Sequence, residues 1–187
     1  MIGRLPALLH EAEAFSHFYQ RTHQMVYRFI YGMRGGPAQE VEDLTAEVFL
    51  RAWKARKSFS GTEGAAEGWI VHIARNLVID AYRKRKNNPV QELPDEMEIV
   101  SPQVSPEDRL ISGEQNRKLL RILFTLPLER REMLILRYVL DWSVNQIAEH
   151  LGMLENTVSV SLRRTLEHMR EEWPDVEQEF TDGLSKT

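Results

Sequence analysis

Residues 69–86, WIVHIARNLVIDAYRKRK, gather aromatic, amide, carboxylate and cationic side chains into one short segment of the chain. His72, Asn76 and Arg83 fall at helical spacing on one side of a predicted helix, and Asp80 flanks them. The cations at the end of the segment attract phosphate groups, whereas amides, carboxylates and aromatic rings can hydrogen-bond to bases or stack on them. The combination therefore indicates binding of a nucleic acid with some discrimination between bases.

Two features of this segment also have simpler explanations. Asp80 and Lys84 can form an exposed i,i+4 ion pair of about 0.2–0.5 kcal/mol, and a terminal RKRK run often serves only solubility. A tryptophan at the start of an amphipathic helix, as Trp69 is, belongs to the core more commonly than to a platform for an unstacked base. Residues 69–86 alone leave both interpretations open.

A second group of residues, SVNQIAEHLGMLENTVSVSLRR at 143–164, has the pattern of a helix-turn-helix. Ser143 is the predicted N-cap of the first helix, Gly152 supplies the turn, and Asn156 or Thr157 caps the second helix. The outward side chains of the second helix are Asn156, Val160, Arg163, Arg164 and Glu167. Because Arg binds guanine edges or phosphates and Asn pairs with adenine, this face is predicted to enter a DNA major groove. The alternative is a plain helical hairpin with solvated arginines.

Helical periodicity of apolar residues extends along most of the chain, and no segment shows the sustained alternation of a strand. The predicted helices span about 11–33, 39–57, 66–86, 112–125, 128–140, 143–150 and 155–172. Gly35, Gly36 and Pro37 separate the first two helices, residues 58–68 form a predicted glycine-bearing loop, and Pro127 turns the chain later on. The predicted fold class is all-α, with two small helical domains and a C-terminal helix-turn-helix.

Composition excludes several classes of protein. The chain has 187 residues, 42% of them apolar and 28% charged, which is typical of globular proteins. It contains no cysteine, which excludes disulfides, thiol catalysis and Cys-type zinc sites. No apolar run approaches the ~18 residues of a membrane span, and no signal-peptide pattern is present, so we expect a cytoplasmic protein.

Charge is distributed unevenly along the chain, although the net charge is only −4. Residues 1–90 carry 13 Lys and Arg against 9 Asp and Glu, whereas residues 91–113 carry 1 against 6. The stretch 87–108 contains four prolines and few large apolar residues, so it is predicted to be a flexible acidic linker. The basic first segment points to a polyanionic partner.

Residues 43–53, DLTAEVFLRAW, connect these observations. They predict a helix with Leu44, Val48 and Ala52 inward and a charged outer surface suited to a protein partner. After this helix come the glycine-bearing loop, the motif W-I-x-x-I-A-R-N-L-x-I-D-x-Y-R-K-R, the linker, and a helix-turn-helix preceded by L-P-x-E-R-R-E. In this order the motifs resemble a bacterial sigma factor of the extracytoplasmic-function group, within the primary-type sigma family of RNA polymerase. The resemblance covers roughly residues 11–170.

The resemblance implies a sigma region 2-like domain at 1–86, a linker at 87–112, a region 4-like domain at 113–173 and an acidic tail at 174–187. The residues implied to contact the coiled coil of the largest subunit of core RNA polymerase are Asp43, Leu44, Glu47, Phe49 and Trp53. Those implied to contact the minus-ten promoter element are His72, Arg75, Asn76, Asp80, Arg83, Lys84 and Arg85. Those implied to contact the minus-thirty-five element are Asn156, Thr157, Ser159, Val160, Arg163 and Arg164.

The same resemblance carries further expectations. Residues 58–68 are expected to capture a base turned out of the non-template strand. The other expected partners are the flap region of the polymerase, promoter DNA, and an anti-sigma factor that holds the protein until a signal arrives. No enzymatic activity, cofactor or metal is implied. The chain departs from the family at Ala46, where relatives often have Gln, and at Ser159 and Ser161, where they commonly have Lys and Arg, so fewer phosphate contacts are expected.

Two other classes of function stay open at this point. A helix-turn-helix regulator with an N-terminal sensor or dimerisation domain explains residues 143–164 but not DLTAEVFLRAW. An enzyme with His10, Glu13 and His17 as metal ligands on one helical face is compatible with their spacing. However, the sequence lacks the paired Glu-x-x-His motifs, the His-Glu-x-x-His motif and the phosphate loop that such enzymes use.

Overall fold

A computed structural model of the chain describes residues 9–86 and 119–172, which belong to two compact units. The predicted linker and tail lie outside the described residues. Every regular element in the described part is helical, so the predicted all-α fold class is confirmed. No helix within the two described ranges is long and apolar enough to cross a membrane.

Among residues 9–86, the first unit contains three α-helices that pack on one another. Helix α1 spans Ala12–Arg34, α2 spans Ala38–Ala55 and ends in the 3₁₀ turn Arg56–Ser58, and α3 spans Glu63–Lys86. Each helix contributes one apolar stripe to a shared core. Its fully buried side chains include Val26, Phe29, Ile30 and Met33 of α1, Val41, Val48 and Ala52 of α2, and Ile70, Val71 and Ala74 of α3.

The predicted break between α1 and α2 is confirmed. Gly35 and Gly36 have φ angles of 62° and 100°, in the region that glycine adopts without strain. The amide of Gly35 donates to the carbonyl oxygen of Tyr31 at 2.7 Å. Arg34 and Glu40 form an ion pair across the turn. Backbone and side-chain contacts therefore both close the connection between the two helices.

Helix α3 begins earlier than the sequence predicts. The predicted loop at 58–68 is reduced to residues 59–62, because α3 starts at Glu63. The carbonyl oxygen of Thr62 accepts a hydrogen bond from the amide of Ala65 at 3.1 Å. Alanine has a high helix propensity, and an acid in the first turn interacts favourably with the helix dipole. Together these two effects outweigh the cost of about 1 kcal/mol for each helical glycine. Most of the expected loop therefore belongs to the first two turns of α3.

The second unit contains four helices among the described residues: α4 over 119–125, α5 at Leu128–Leu134, α6 at Val144–Leu151 and α7 at Glu155–Glu172. Helix α5 continues into a π-helical turn, Ile135–Val139, so the predicted helical segment at about 128–140 is confirmed, with π geometry in its second part. The amide of Leu140 donates to the carbonyl oxygen of Ile135 at 3.0 Å, which is the wider ring of a π turn. The core holds Met133, Leu134, Ile135, Leu136, Ile147, Ala148, Val158 and Leu162.

The helix-turn-helix at 143–164 is formed by α6 and α7. The Ser143 hydroxyl accepts the amide of Gln146 at 3.2 Å, and the Gln146 side chain accepts the amide of Ser143 at 2.8 Å, which makes a capping box. Gly152 ends α6 in the left-handed conformation with a φ of 66°. The predicted cap at Asn156 or Thr157 is wrong, because α7 already begins at Glu155 and both residues lie in its first turn.

Candidate functional site

Helix α3 turns one face to solvent and the opposite face to the core. His72, Asn76, Asp80 and Arg83 are exposed, as their spacing predicts, and Arg75 is half-buried beside them. We call these five residues the α3 surface. For Lys84 and Arg85, the structure describes only the backbone, which continues α3.

The core face of α3 is centred on Ala74. Ile70, Val71, Ala74 and Val78 are buried, whereas Ile73 is half-buried. The exposed arc opposite this core face is therefore centred on the α3 surface.

An aromatic pair lies where residues 59–62 meet α3. The rings of Phe59 and Trp69 have centroids 5.0 Å apart and planes inclined by 37°, and both side chains are half-buried. Gly61 lies close to the Phe59 ring, since a Cβ at position 61 would lie 2.7 Å from Cζ of Phe59. Trp69 is therefore neither a fully buried core residue nor an isolated platform. It falls on the same helical face as Asn76, seven residues further on.

The outer face of α2 carries a charged surface around an exposed leucine. Asp43 is exposed, and Glu47 accepts a hydrogen bond from Nε of Arg51 at 2.7 Å. This hydrogen bond lowers the pKa of the Glu47 carboxyl, so the group stays ionised at neutral pH. Leu50 is 53% exposed on the same arc. Leu50 is not among the residues predicted from the sequence to form this surface, although its helical-wheel position beside Asp43 is a signal that identifies it. We call Asp43, Glu47 and Leu50 the α2 surface.

The expected polymerase-binding residues differ in exposure. Phe49 is only 5% exposed and packs edge to face against Tyr19, with ring centroids 4.6 Å apart. Its ring therefore joins α1 to α2 behind the α2 surface. Trp53 is half-buried, and the guanidinium of Arg56 lies 3.4 Å from its ring centroid. Leu44, predicted to point inward, is half-buried at the edge of the core.

Helix α7 packs through one apolar face and presents a polar face to solvent. Val158 and Leu162 are buried. The residues expected to bind DNA are accessible: Asn156, Thr157, Ser159, Arg163 and Arg164 are exposed, and Val160 is half-buried. We call these six residues the α7 surface. Nε of Arg163 lies 3.9 Å from Oε1 of Glu167, and both side chains are mostly exposed, so this weak ion pair leaves Arg163 accessible to a phosphate or base.

Two exposed apolar residues of the second unit are also absent from the sequence analysis. Leu154 is 77% exposed in the turn that precedes α7, and Tyr138 is 59% exposed in the π turn. Regular α-helical spacing over 128–140 does not predict the exposure of Tyr138, because a π turn changes the direction of every later side chain.

The suggested metal ligands do not share a helical face. His10 precedes α1, and its carbonyl oxygen accepts a hydrogen bond from Nε of Arg56 at 3.2 Å. Glu13 and His17 lie within α1 itself. Within residues 9–86 and 119–172, no group of three or more His, Asp or Glu side chains is arranged to hold a metal ion.

Sequence comparisons match two family models to the two units. The model for Sigma-70 region 2 matches residues 18–88, and the model for Sigma-70, region 4 matches residues 116–169. The chain is similar to the ECF RNA polymerase sigma factor BldN of Streptomyces coelicolor, with 31% identity over 88% of this chain and 62% of BldN. It is also similar to the ECF RNA polymerase sigma factor SigX of Bacillus subtilis, with 26% identity over 91% of this chain and 89% of SigX.

Solved structures share the fold at lower sequence identity. The sigma factor RpoE of Bartonella quintana, in complex with the anti-sigma factor NepR, gives a TM-score of 0.68 at 18% identity, over 86% of this chain and 96% of RpoE. CnrH, in complex with the cytosolic domain of CnrY, gives a TM-score of 0.65 at 18% identity, over 89% of this chain and 94% of CnrH.

The two regional matches and the relatives define a class of protein, the sigma factors that serve RNA polymerase in transcription. Within that class, the chain belongs to the extracytoplasmic-function (ECF) sigma factors. Because the relatives carry the ECF designation, this group replaces the broader primary-type label of the sequence analysis.

Proposed function

We propose that this protein binds core RNA polymerase through the α2 surface, directs it to promoters through the α7 surface, and opens the minus-ten element with the α3 surface. The observation that supports this proposal best is the α3 surface itself. It exposes imidazole, amide, carboxylate and guanidinium groups beside a half-exposed aromatic pair. A regulator that only binds duplex DNA needs one groove-facing helix, such as α7, and has no use for this second surface.

Promoter opening requires attraction to phosphates and replacement of the base contacts that are lost. Arg83 and Arg75 are suited to the phosphates, whereas His72, Asn76 and Asp80 offer hydrogen-bonding groups to bases. The family likeness adds Lys84 and Arg85 to the phosphate-binding set. Extruding a base costs a few kcal/mol, and stacking on an aromatic side chain recovers ~1–3 kcal/mol per base.

The proposed site for an extruded base differs from the expected loop. Only residues 59–62 connect the 3₁₀ turn to α3, so the expected loop at 58–68 is too short to enclose a base by itself. The Phe59–Trp69 pair and the first turns of α3 then form the walls of the site. Gly61 lies beside Phe59, where a larger side chain would displace the Phe59 ring.

The proposed contact with the polymerase uses the outer arc of α2. Asp43 and Glu47 supply negative charge, and Leu50 supplies an apolar group on the same arc, one turn beyond Glu47. Leu44 and Trp53 contribute at the edges, since both are half-buried. Ala46 lacks the amide that relatives often have at this position, which removes about 0.5–1.5 kcal/mol of hydrogen bonding from the interface.

On this proposal, residues 1–86 act as the region 2-like domain and residues 113–173 as the region 4-like domain, with a linker at 87–112 and a tail at 174–187. Asn156, Thr157, Ser159, Val160, Arg163 and Arg164 contact the minus-thirty-five element. The protein works in the cytoplasm, where the polymerase is. An anti-sigma factor holds it inactive until a signal arrives, by analogy with the complex of RpoE with NepR.

Run-off transcription with purified core RNA polymerase tests the proposal. The protein is added to core enzyme and promoter fragments, and the unpaired bases are mapped with a single-strand-specific reagent. We expect transcripts and melted bases only when both protein and core enzyme are present. Binding to duplex DNA with no dependence on core enzyme would favour the alternative, a helix-turn-helix regulator with a sensor domain.

A further inference from the structure

The second unit contains a positively charged groove between the π turn and α7. Its volume is about 380 Å³. The apolar part of its lining comes from Val144, Leu162 and Leu166, and Tyr138 stands at its edge, 59% exposed. The charged part consists of Arg137, Arg163, Arg170 and the single acid Glu167. We call this feature the α7 groove.

The groove retains its positive character after its internal contacts are taken into account. Nη1 of Arg137 donates to the carbonyl oxygen of Trp142 at 2.9 Å, which fixes the guanidinium without neutralising it. Glu167 lies 3.9 Å from Arg163 in a largely exposed pair, so it offsets only one of the three cations. Arg170 is exposed near the end of α7. The lining therefore fits an acidic segment that also carries apolar side chains.

Residues 173–187, which follow α7 in the sequence, have this composition. The segment WPDVEQEFTDGLSKT carries Asp175, Glu177, Glu179 and Asp182 against a single lysine. Trp173, Val176 and Phe180 alternate with these acids. Its charge thus complements the three arginines, and its apolar residues match the groove floor and Tyr138.

The chain is also long enough to reach the groove. Thirteen residues of α7 separate Glu172 from Ser159, which is about 20 Å at 1.5 Å per helical residue. The nine residues from 173 to 181 span up to roughly 30 Å when extended. A segment that turns back after α7 can therefore lie along the whole groove.

We propose that residues 173–187 bind in the α7 groove of the same chain and compete with promoter DNA for Ser159 and Arg163. The docking itself depends only on the groove and the acidic segment, whereas the competition rests on the proposed function of the α7 surface. Occupation of the groove makes the isolated protein a weak DNA binder. Promoter DNA or the polymerase has to displace the segment before α7 can engage the minus-thirty-five element.

Disulfide trapping in the full chain tests the docking without DNA or polymerase. The chain has no cysteine, so a pair introduced as Ser159→Cys and Thr181→Cys reports on that contact alone. The matched control pairs Thr181→Cys with His168→Cys, because His168 is exposed outside the groove and is closer to residue 172 along α7. We expect a several-fold higher intramolecular yield with position 159 than with position 168. Equal yields, or a higher yield at 168, would show that the segment has no preference for the groove and would overturn the docking.

Charge variants test what holds the segment in place. Arg170→Glu should lower the yield of the 159–181 disulfide several-fold, and added salt should do the same. Arg121→Glu is the control, because Arg121 is exposed on α4 and does not line the groove. An equal effect of both variants, or disulfides that form only between two chains, would overturn the proposal. Both substitutions are at exposed positions, so thermal unfolding should confirm an intact fold.

A DNA-binding measurement tests the competition. Replacing the four acids of 173–187 by their amides should raise the affinity of the full chain for a minus-thirty-five duplex several-fold at low salt. Unchanged affinity together with efficient trapping would overturn the competition but leave the docking. The original chain and the variant with four amides could both fail to bind DNA and to support transcription while disulfide trapping succeeded. In that case the proposed function would fail and the docking would stand.

Discussion

Arg131 shows how a residue that appears suited to a polyanion is instead required by the fold. It is only 2% exposed, although it belongs to the charged motif at 126–132. Its Nε donates to the carbonyl oxygen of Leu123 at 3.1 Å, and its Nη2 donates to those of Phe124 at 3.0 Å and Leu126 at 3.2 Å. These bonds add partners to carbonyl groups at and just after the end of α4, where the helix can no longer supply its own amide donors.

The first prediction concerns the shape of this cation rather than its charge. Arg131→Lys should destabilise the second unit by roughly 1.5–3 kcal/mol, because an ammonium group cannot reproduce the planar fork that reaches several carbonyls. Arg130→Lys is the matched control, since Arg130 is exposed on the same helix and should change stability by less than about 0.5 kcal/mol. Urea unfolding of both variants measures the difference. Equal stability would show that the fork is not needed.

The second prediction uses two glycines of the first unit. Gly61→Ala places a Cβ 2.7 Å from Cζ of Phe59, so the ring must move and the unit should lose roughly 1–2 kcal/mol. Gly68→Ala meets no atom within 4 Å and lies inside α3, so it should add roughly 0.5–1 kcal/mol through helix propensity. Thermal unfolding should show shifts of opposite sign. Shifts of the same sign would contradict the packing of Gly61 against the aromatic pair.

At the scale of helices, the sequence predicts what apolar periodicity controls. The boundaries of α1, α2 and α7 agree with prediction to within two residues, because each helix has a regular stripe of core residues. The start of α3 and the π turn are missed, because they depend on backbone hydrogen bonds that side-chain spacing does not reveal. The family resemblance assigns Phe49 to a binding surface, whereas in the structure its ring is buried against Tyr19. The sequence thus predicts which face of a helix is exposed better than it predicts the burial of residues at the edge of that face.

The third prediction concerns the cap that starts α6. Ser143→Ala removes the hydroxyl that accepts the amide of Gln146, so the second unit should lose about 1 kcal/mol. Ser143→Asp should restore most of this loss, because a carboxylate can accept the same hydrogen bond and also interacts favourably with the helix dipole. Circular dichroism during urea unfolding measures both variants. Equal loss with alanine and aspartate would mean that the capping box contributes little.

At the scale of the whole chain, the proposed tasks are divided between two units. The α2 and α3 surfaces belong to the first unit, and the α7 surface belongs to the second. Each unit has its own buried core, so an exposed substitution in one unit should leave the fold of the other unit intact. Polymerase binding and recognition of the minus-thirty-five element should therefore be separable by mutation.

The fourth prediction follows from this division. Asp43→Lys reverses the charge of the α2 surface and should lower affinity for core RNA polymerase at least tenfold, a loss of about 1.4 kcal/mol, while leaving binding to a minus-thirty-five duplex unchanged. Arg163→Ala should leave polymerase affinity unchanged and lower transcription only from promoters that need the minus-thirty-five element. Polymerase pull-down and run-off transcription on promoters with and without that element measure both effects.

If Arg163→Ala alters neither DNA affinity nor promoter choice, the residue is not part of the DNA contact. If either variant impairs both activities while its unfolding is normal, the two tasks are not divided between the units as proposed.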